Sequence, residues 1–258
     1  MAATFILNTR SEFLKTKKTA AFWVCILGAA FIPLVNFIRL TAKADFFAER
    51  MQKDPWAIII RDNWITSAIF LIPMFVILVT SLVSQIEFRN NTWKQVYASP
   101  RSYTDIFFSR FLVVHTLVLF CFLMFNLFIV LSSLGVNLLK PQYHFTDHAI
   151  PWSSLFNNMF KVYFSVATIT VVQYWLSLRF KNFIAPMGIG LALLITGLSI
   201  HQWDKLYYYP YMYPAIAYMV DFRANPGFVE KAQLYNIFWF TGILILSFWD
   251  IWRRKERG

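Results

Sequence analysis

The chain has 258 residues, of which 58% are hydrophobic and 14% are charged, and its formal net charge is +11. Soluble domains contain about 25% charged residues, so the composition excludes an ordinary soluble domain. The positive charge is better explained by membrane orientation and attraction to anionic lipid than by nucleic-acid binding, so we expect no nucleic-acid partner.

The apolar residues form blocks that predict six membrane spans. A spanning helix needs about 20 apolar residues, and continuous runs indicate helices rather than barrel strands. The spans are expected at about 20–40, 64–86, 107–134, 160–178, 183–200 and 235–252. No small-residue cleavage site follows the first block, so it is expected to be retained. The predicted fold class is all-α integral membrane, with residues 1–258 forming one transmembrane domain.

The distribution of charge predicts the orientation of these spans. Most of the 24 Lys and Arg fall at the two termini and in alternate loops, whereas the other loops carry balanced charge. The positive-inside rule places the basic side, and both termini, in the cytosol. Arg39 and Lys161 fall at span borders.

Residues 1–19 mix apolar and basic side chains, which predicts an interfacial elbow helix on the cytosolic leaflet. A frayed, positively charged tail is the alternative. The external segment 41–63 is polar, and Asp54-Pro55 predicts a turn there. Pro73 should bend the second span.

The segment 87–105, between the second and third spans, is the most informative loop. It is basic, and Trp93, Val96 and Tyr97 follow the i, i+3, i+4 spacing of a short amphipathic helix. We expect such a helix on the cytosolic side to be presented to a soluble partner.

The same segment contains signals for a helix end and a new helix start. Ser99-Pro100 is expected to end the short helix, because the residue before proline disfavours helical dihedrals. Ser102 and Asp105 then predict a capped start for the third span.

Two external segments leave alternatives open. Residues 201–234 are rich in tyrosine and proline, which suits either a re-entrant pair of short helices or an ordinary interfacial loop. His144, Asp147 and His148 could meet one cation if they were helical, but a solvated loop is the favoured interpretation.

Polar residues inside the predicted spans are few. His115 is interpreted as a packing histidine rather than a proton relay, and Asn126 and Gln173 as interhelical hydrogen-bonding groups rather than substrate ligands. Cys25 and Cys121 are expected to be small core residues.

The chain contains no phosphate-binding loop, no paired zinc ligands and no serine nucleophile elbow. Glu87, Asp105 and Asp250 lie near span ends, so no carboxylate pair is expected at depth. We therefore expect no catalytic, cofactor or metal site in this chain.

This arrangement resembles the membrane subunits of type-2 ATP-binding-cassette (ABC) exporters, particularly the branch with lantibiotic-immunity and drug-efflux permeases. The resemblance rests on the basic amphipathic N-terminus, the six predicted spans with cytosolic ends, and the segment Glu87…Asn91-Thr-Trp-Lys-Gln-Val-Tyr-Ala-Ser-Pro100-Arg-Ser. In that family a similar acidic residue, a "gTWk"-like core and a "lP.sr"-like end occupy this loop. The chain departs from the pattern with Asn91, where glycine is common.

The resemblance implies that the segment is a coupling helix docked on a separate ATPase subunit. The interface implied is Glu87, Arg89, Thr92, Trp93, Lys94, Val96, Tyr97 and Arg101. Its aromatic and aliphatic members would anchor the helix, and its charged members would orient it. ATP and Mg would lie on the partner, with no cofactor in this chain.

The resemblance also implies a permease in a bacterial inner membrane, paired with a second permease copy or paralogue and surrounded by lipid. It would move a hydrophobic or amphiphilic substrate outward. Two other classes remain open on the residues alone. One is a six-span scaffold or regulatory protein that recruits a different cytosolic partner. The other is a membrane enzyme, for which no catalytic set is evident.

Overall fold

The computed structural model describes residues 2–51, 53–89, 102–180, 182–219 and 226–255. These residues form helices joined by turns, with no strand among them, so the predicted all-α class is confirmed. The helices in chain order are α1 (Ala2–Thr16), α2 (Ala20–Ala42), α3 (Ala44–Met51), α4 (Pro55–Thr66), α5 (Ile72–Arg89), α6 (Tyr103–Leu139), α7 (Trp152–Ser165), α8 (Ala167–Arg179), α9 (Ile184–Ser199), α10 (Tyr213–Met219) and α11 (Pro226–Lys255).

Four helices of the described chain are long and apolar enough to cross a membrane, namely Ala20–Ala42, Pro55–Ile86, Tyr103–Leu139 and Gly227–Arg253. A fifth span results if α7 and α8, which are inclined by 45°, are taken together. α9 has 16 residues, or about 24 Å at 1.5 Å per residue, less than the roughly 30 Å hydrocarbon core. The predicted number of six spans therefore stays a prediction, and it depends on α9.

The expected external loop at 41–63 is instead largely helical, as α3 and α4. Asp54 and Pro55 begin α4 rather than form a simple turn. The Asp54 carboxylate accepts a hydrogen bond from the Ala57 amide at 2.9 Å, and proline is favoured at the first helical position, where its missing N–H costs nothing. α3 is polar, and Arg61, Asp62 and Asn63 interrupt the apolar residues of α4, which is why counting apolar blocks missed both helices.

The bend expected at Pro73 takes the form of a π-helical turn. Ser67–Leu71 is π-helical and joins α4 directly to α5. Proline cannot donate a hydrogen bond to the carbonyl four residues earlier, and a wider turn accommodates that missing bond. The result is one continuous, locally distorted span from Pro55 to Ile86.

The core of the bundle is formed where α2 packs against α6 and α5 packs against α8 and α9. Trp64 is fully buried there and meets the Phe125 ring edge-to-face at 4.9 Å. Cys25 and Cys121 are free and buried, and the Cys25 thiol lies 3.7 Å from the Leu117 carbonyl oxygen. Their predicted role as small core residues is confirmed.

Side-chain contacts define two ends of the bundle. We call the end marked by Glu12, Arg110, Arg179 and Asp250 the terminal face, because α1, the start of α6, and the ends of α8 and α11 meet there. At the opposite end, the Tyr143 hydroxyl donates to the Leu40 carbonyl at 2.9 Å.

Gly190 on α9 gives the first prediction, because a Cβ there would lie 2.8 Å from Ile77 Cγ2 and would also collide with the Gln173 side chain. We expect Gly190→Ala to destabilise the bundle by about 1–3 kcal/mol through overpacking. Thermal unfolding in detergent, followed by tryptophan fluorescence, measures the effect.

Gly188 is the matched control on the same helix, since a Cβ there would meet nothing within 4 Å. Gly188→Ala should leave stability unchanged or raise it by up to about 1 kcal/mol through helix propensity. Equal melting temperatures for the two variants would contradict the close packing of α9.

Candidate functional site: the terminal face and a cleft beside it

The structure places only part of the predicted coupling interface. Glu87 and Arg89 lie in the last turn of α5. The other predicted members lie outside the described residues: Thr92, Trp93, Lys94, Val96, Tyr97 and Arg101. Their predicted role therefore stays a prediction, and the described structure bears on it through the helices that flank the segment.

The start of α6 is firmly capped. The Ser102 hydroxyl accepts a hydrogen bond from the Asp105 amide at 3.0 Å, as the sequence predicts. On the other side of the segment, the Gln85 amide of α5 lies 3.5 Å from the Phe180 carbonyl oxygen that follows α8. The helices that flank the predicted coupling segment in sequence, α5 and α6, thus have ends held by defined polar contacts.

A buried ionic cluster joins α1 to α6 just inside the terminal face. Glu12 Oε2 lies 3.6 Å from Arg110 Nε, and Glu12 Oε1 accepts from Lys15 Nζ at 2.6 Å. Arg110 is 3% exposed and Glu12 7% exposed. Removing one partner from a buried ion pair is strongly destabilising, because the other charge stays buried. The cluster therefore fixes α1 to the helix that begins directly after the coupling segment.

α1 is amphipathic, but it buries its polar face and exposes its apolar face, the reverse of a helix on a soluble protein. Asn8, Glu12 and Thr16 follow i, i+4, i+8 spacing and are buried against the bundle, whereas Ile6 and Leu7 are exposed. An exposed apolar face on a helix bearing basic residues is typical of a helix at a membrane interface. The predicted N-terminal helix is present, and this pattern favours it over a frayed tail.

A second polar contact ties α8 to α11 at the same face. Arg179 Nη1 lies 3.1 and 2.9 Å from the two Asp250 carboxylate oxygens, and Trp175 Nε1 donates to Asp250 Oδ2 at 2.9 Å. Charge-assisted contacts of this kind fix geometry more strongly than apolar packing does. The Asp250 carboxylate therefore fixes the position of α11 along α8.

A large apolar cleft opens beside this face, between α6, α7 and α11. Its volume is about 840 Å³, and Phe5 of α1 contributes to its wall. The remaining aromatic and aliphatic lining is Phe108, Phe111, Leu112, Tyr163, Phe164, Ala167, Ile237 and Phe240. Ligand sites for small molecules typically have volumes of about 300–1,000 Å³ and mostly apolar walls. We call it the α6–α11 cleft.

His115 lines this cleft and is held by a neighbour across it. Its Nδ1 lies 3.0 Å from the Tyr163 hydroxyl, and the Phe111 ring meets it edge-on at 4.5 Å. Its Nε2 has no hydrogen-bond partner in the described part of the chain. The predicted packing role of His115 is supported by the Tyr163 contact and by the burial of its second nitrogen.

Lys161 is the charged side chain of the cleft. It lies on α7, is the only charged residue between Asp147 and Arg179, and is half-buried in the cleft wall. A lysine at the centre of a spanning helix costs about 2.5–3.5 kcal/mol on insertion scales, so its presence calls for a partner or a function. Its Nζ lies 6.0 Å from the Tyr218 ring centroid and makes no ion pair with any described residue.

The bend between α7 and α8 is held by a polar residue of α11. Asn236 Nδ2 donates to the Phe164 carbonyl at 2.6 Å, and the Thr168 hydroxyl lies 2.6 Å from Asn236 Oδ1. A lipid-exposed bend would leave backbone carbonyls without partners, and a neighbouring side chain can satisfy them. Asn236 thereby shapes the floor of the cleft that it lines.

The predicted roles of Asn126 and Gln173 are confirmed by their contacts. Asn126 Nδ2 donates to the Leu155 carbonyl at 3.1 Å, which ties α6 to α7. Gln173 Nε2 donates to the Tyr211 hydroxyl at 2.9 Å. Residues 211–217 are buried and include most of α10, so this part of the aromatic segment packs into the bundle as a re-entrant element would.

The external histidine cluster does not converge on one point. His144 Nδ1 lies 2.8 Å from Asp147 Oδ2, and the described residues contain no group of three His, Cys, Asp or Glu side chains that could hold a metal. Nearby, burial raises the pKa of Tyr143, so its hydroxyl stays protonated as the donor to Leu40.

The sequence analysis counted Arg110 as a loop charge and Lys161 as a border residue. It therefore missed the buried ion pair of Arg110 and the place of Lys161 in the cleft wall. Each interrupts an apolar run, Phe-Phe-Ser-Arg110-Phe-Leu and Met-Phe-Lys161-Val-Tyr. A charge inside a predicted span marks a functional or structural site by default. That signal was available, whereas the identity of the facing residues was not.

The fold and these sites define a multi-pass membrane protein with a bundle of long apolar helices. The family model described as "ABC-2 family transporter protein" matches residues 9–197. This match covers well over half of the chain, which therefore belongs to that family. Membership makes it a membrane-spanning subunit of an ABC transporter and implies an ABC ATPase as partner.

No curated protein and no solved structure matches the chain. The family match supports the type-2 permease class that the resemblance implied, while the particular branch of that class stays a prediction.

The Glu12–Arg110 pair gives the second prediction. Glu12→Gln removes the charge but keeps the side-chain shape, and it leaves the Arg110 guanidinium buried without this carboxylate. We expect a loss of about 3 kcal/mol in unfolding free energy, the low end of the range for broken buried pairs. Denaturant unfolding in detergent measures it.

Glu49→Gln is the matched control, because Glu49 is exposed on α3 and should change stability by less than about 0.5 kcal/mol. Combining Glu12→Gln with Arg110→Gln should cost at least about 1 kcal/mol less than the sum of the single changes. Additive single effects would show that the two groups do not interact.

Proposed function

We propose that this chain is the permease subunit of an ABC exporter that moves a hydrophobic or amphiphilic substrate outward. A separate ATPase would bind the 87–101 segment and supply the energy. Family membership supports the transporter class. The observation that carries the coupling proposal is that α6, which begins directly after the segment, bears both Arg110 and the wall of the α6–α11 cleft.

The proposed mechanism is a rigid-body displacement of α6. Docking of an ATPase on Trp93, Val96 and Tyr97 would push on the capped start of α6. Because a helix is stiff along its axis and the Glu12–Arg110 cluster joins it to α1, the two helices would move together. That motion would change the distance between α6 and α11, which form two walls of the cleft.

The proposed orientation places the terminal face and both termini in the cytosol of a bacterial inner membrane. Basic side chains collect at this face in the described residues, among them Arg10, Lys17, Lys18 and Arg253, whereas Asp45, Glu49 and Asp62 lie at the opposite end. That asymmetry supports the orientation through the positive-inside rule. A second permease copy or paralogue would complete a transport pathway.

A scaffold or regulatory protein that recruits a different partner through 87–101 is the alternative. The cleft favours the transporter, since recruitment alone does not need an apolar cleft of about 840 Å³ inside the membrane domain.

The third prediction tests the coupling interface. Native membranes expressing the tagged permease should yield a co-purifying subunit with a G-x-x-x-x-G-K-[ST] phosphate loop, identified by mass spectrometry. Trp93→Ala combined with Val96→Asp should reduce its recovery at least tenfold, because the apolar anchor is lost. The ATP hydrolysis rate of the purified complex provides a second readout.

Trp203→Ala is the control for this experiment, since Trp203 is an exposed tryptophan at the opposite end of the bundle. It should retain the ATPase. If wild-type protein never brings down a phosphate-loop subunit, or if the double variant retains full recovery, the coupling proposal fails.

The fourth prediction decides whether α9 completes a six-span topology. Native Cys25 and Cys121 are buried, so single introduced cysteines report accessibility to an impermeant maleimide. If α9 crosses, Gln202→Cys is labelled in intact cells together with Lys43→Cys, while Asn182→Cys is labelled only after lysis, together with Lys18→Cys. Labelling of both α9 ends from one side would show that α9 does not span.

A further inference from the structure

We infer that the α6–α11 cleft binds an amphiphile with an anionic headgroup, which pairs with Lys161 while its apolar tail lies along the aromatic wall. The inference starts from charge. Lys161 is a cation in a wall that is otherwise apolar or neutral, and it makes no ion pair with any described residue. The nearest acidic residue along the lining of α11, Glu230, is exposed and is not paired with it.

The polar lining of the cleft includes Tyr163 and His115 besides Lys161. Tyr163 lies two positions after Lys161 on α7, and its hydroxyl lies 3.0 Å from His115 Nδ1. The Nε2 of His115 has no hydrogen-bond partner among the described residues and is itself buried. Lys161 therefore supplies the positive charge of the cleft, and no carboxylate lies in the described lining. This is the complement of a carboxylate or phosphate headgroup.

The rest of the cleft suits an apolar tail. Phe108 and Phe111 of α6 face Phe240 of α11, and the Phe111 and Phe240 ring centroids lie 6.3 Å apart. Lys161 is the only Lys, Arg, Asp or Glu side chain in the described lining. A tail placed there would contact rings along its length and be held by van der Waals packing, as apolar surfaces are within a bilayer.

The rim of the cleft faces the region where lipid would be. Phe164 and Ile237 are each 65% exposed, and Leu112 is 44% exposed. Exposed apolar side chains on a spanning bundle contact acyl chains, so an amphiphile can enter from the bilayer without crossing water. The cleft therefore fits a ligand that partitions into membrane and carries one anionic group.

That this anion is also the exported substrate rests on the proposed function, whereas its binding does not. The binding experiment uses the permease alone, without an ATPase. Selective binding with a failed co-purification would preserve the cleft inference and remove the exporter. Co-purification without selective binding would do the reverse.

The fifth prediction is tested on the purified full chain in uncharged detergent, with ligand retention measured by native mass spectrometry. Hexadecanoate should bind at least tenfold more tightly than hexadecan-1-ol, and hexadecyltrimethylammonium should bind no better than the alcohol. Lys161→Gln should reduce hexadecanoate binding to the level of the alcohol. Lys161→Arg should keep the preference for the anion.

Lys140→Gln is the matched control, because Lys140 lies at the end of α6 outside the cleft and should bind like the wild type. Equal wild-type affinities for hexadecanoate and hexadecan-1-ol would overturn the inference even if Lys161→Gln failed to fold. An unchanged acid preference in a folded Lys161→Gln protein would also overturn it.

Nanodiscs distinguish the two sources of the headgroup. If phosphatidylglycerol, compared with phosphatidylcholine, displaces hexadecanoate, the anionic amphiphile bound in the cleft is a bilayer lipid. If it does not, the cleft selects a free single-chain anion. Both outcomes support anionic recognition, and they differ only in what supplies it.

Discussion

Arg110 is an almost fully buried guanidinium in the first turns of α6, and an apolar membrane interior leaves such a group no solvent to pair with. Glu12 of α1 supplies a carboxylate 3.6 Å away, and Lys15 shares that carboxylate. Because a buried charge is tolerated only with its partners in place, separating α1 from α6 would remove this carboxylate from Arg110. The N-terminal helix therefore packs into the bundle through its polar face, while its apolar residues stay exposed.

The same constraint acts on the backbone wherever a spanning helix is interrupted. The junction of α7 and α8 is satisfied by Asn236 from α11, and the buried segment around Tyr211 is reached by Gln173 from α8. Asn236 substitutes for a missing backbone contact by donating to the Phe164 carbonyl, whereas Gln173 donates to the Tyr211 hydroxyl and so ties side chain to side chain. The irregular parts of this bundle are thus positioned by a few interhelical hydrogen bonds, and these cluster around the cleft and the aromatic segment.

Much of the architecture could be predicted because its signals are local. The apolar blocks locate α2, α5, α6 and α11, and Ser102 marks the start of α6 within one turn. The helices α3 and α4 were missed because α3 is polar and because Arg61, Asp62 and Asn63 interrupt the apolar residues of α4.

The remaining features depend on residues far apart in the chain. No proline or glycine near Val166 predicts the bend there. Its backbone is held by Asn236, which lies 70 positions later in the chain. Arg110 and Lys161 were visible in the sequence as charges. Only the folded arrangement shows that Arg110 pairs with Glu12 and that Lys161 lines a cleft.

The contacts around the cleft are of two kinds, and the difference bears on how it could open. α11 is held to α8 by Arg179–Asp250 and Thr168–Asn236, whose directional hydrogen bonds fix its register. Towards α6, the described contacts of α11 are aromatic, such as Phe107 with Phe248 at 5.4 Å. Ring contacts tolerate sliding that hydrogen bonds do not, because their energy varies little with small displacements. The α6–α11 seam is therefore the side of the cleft that can widen at least cost, and α6 is the helix on which the coupling segment would act.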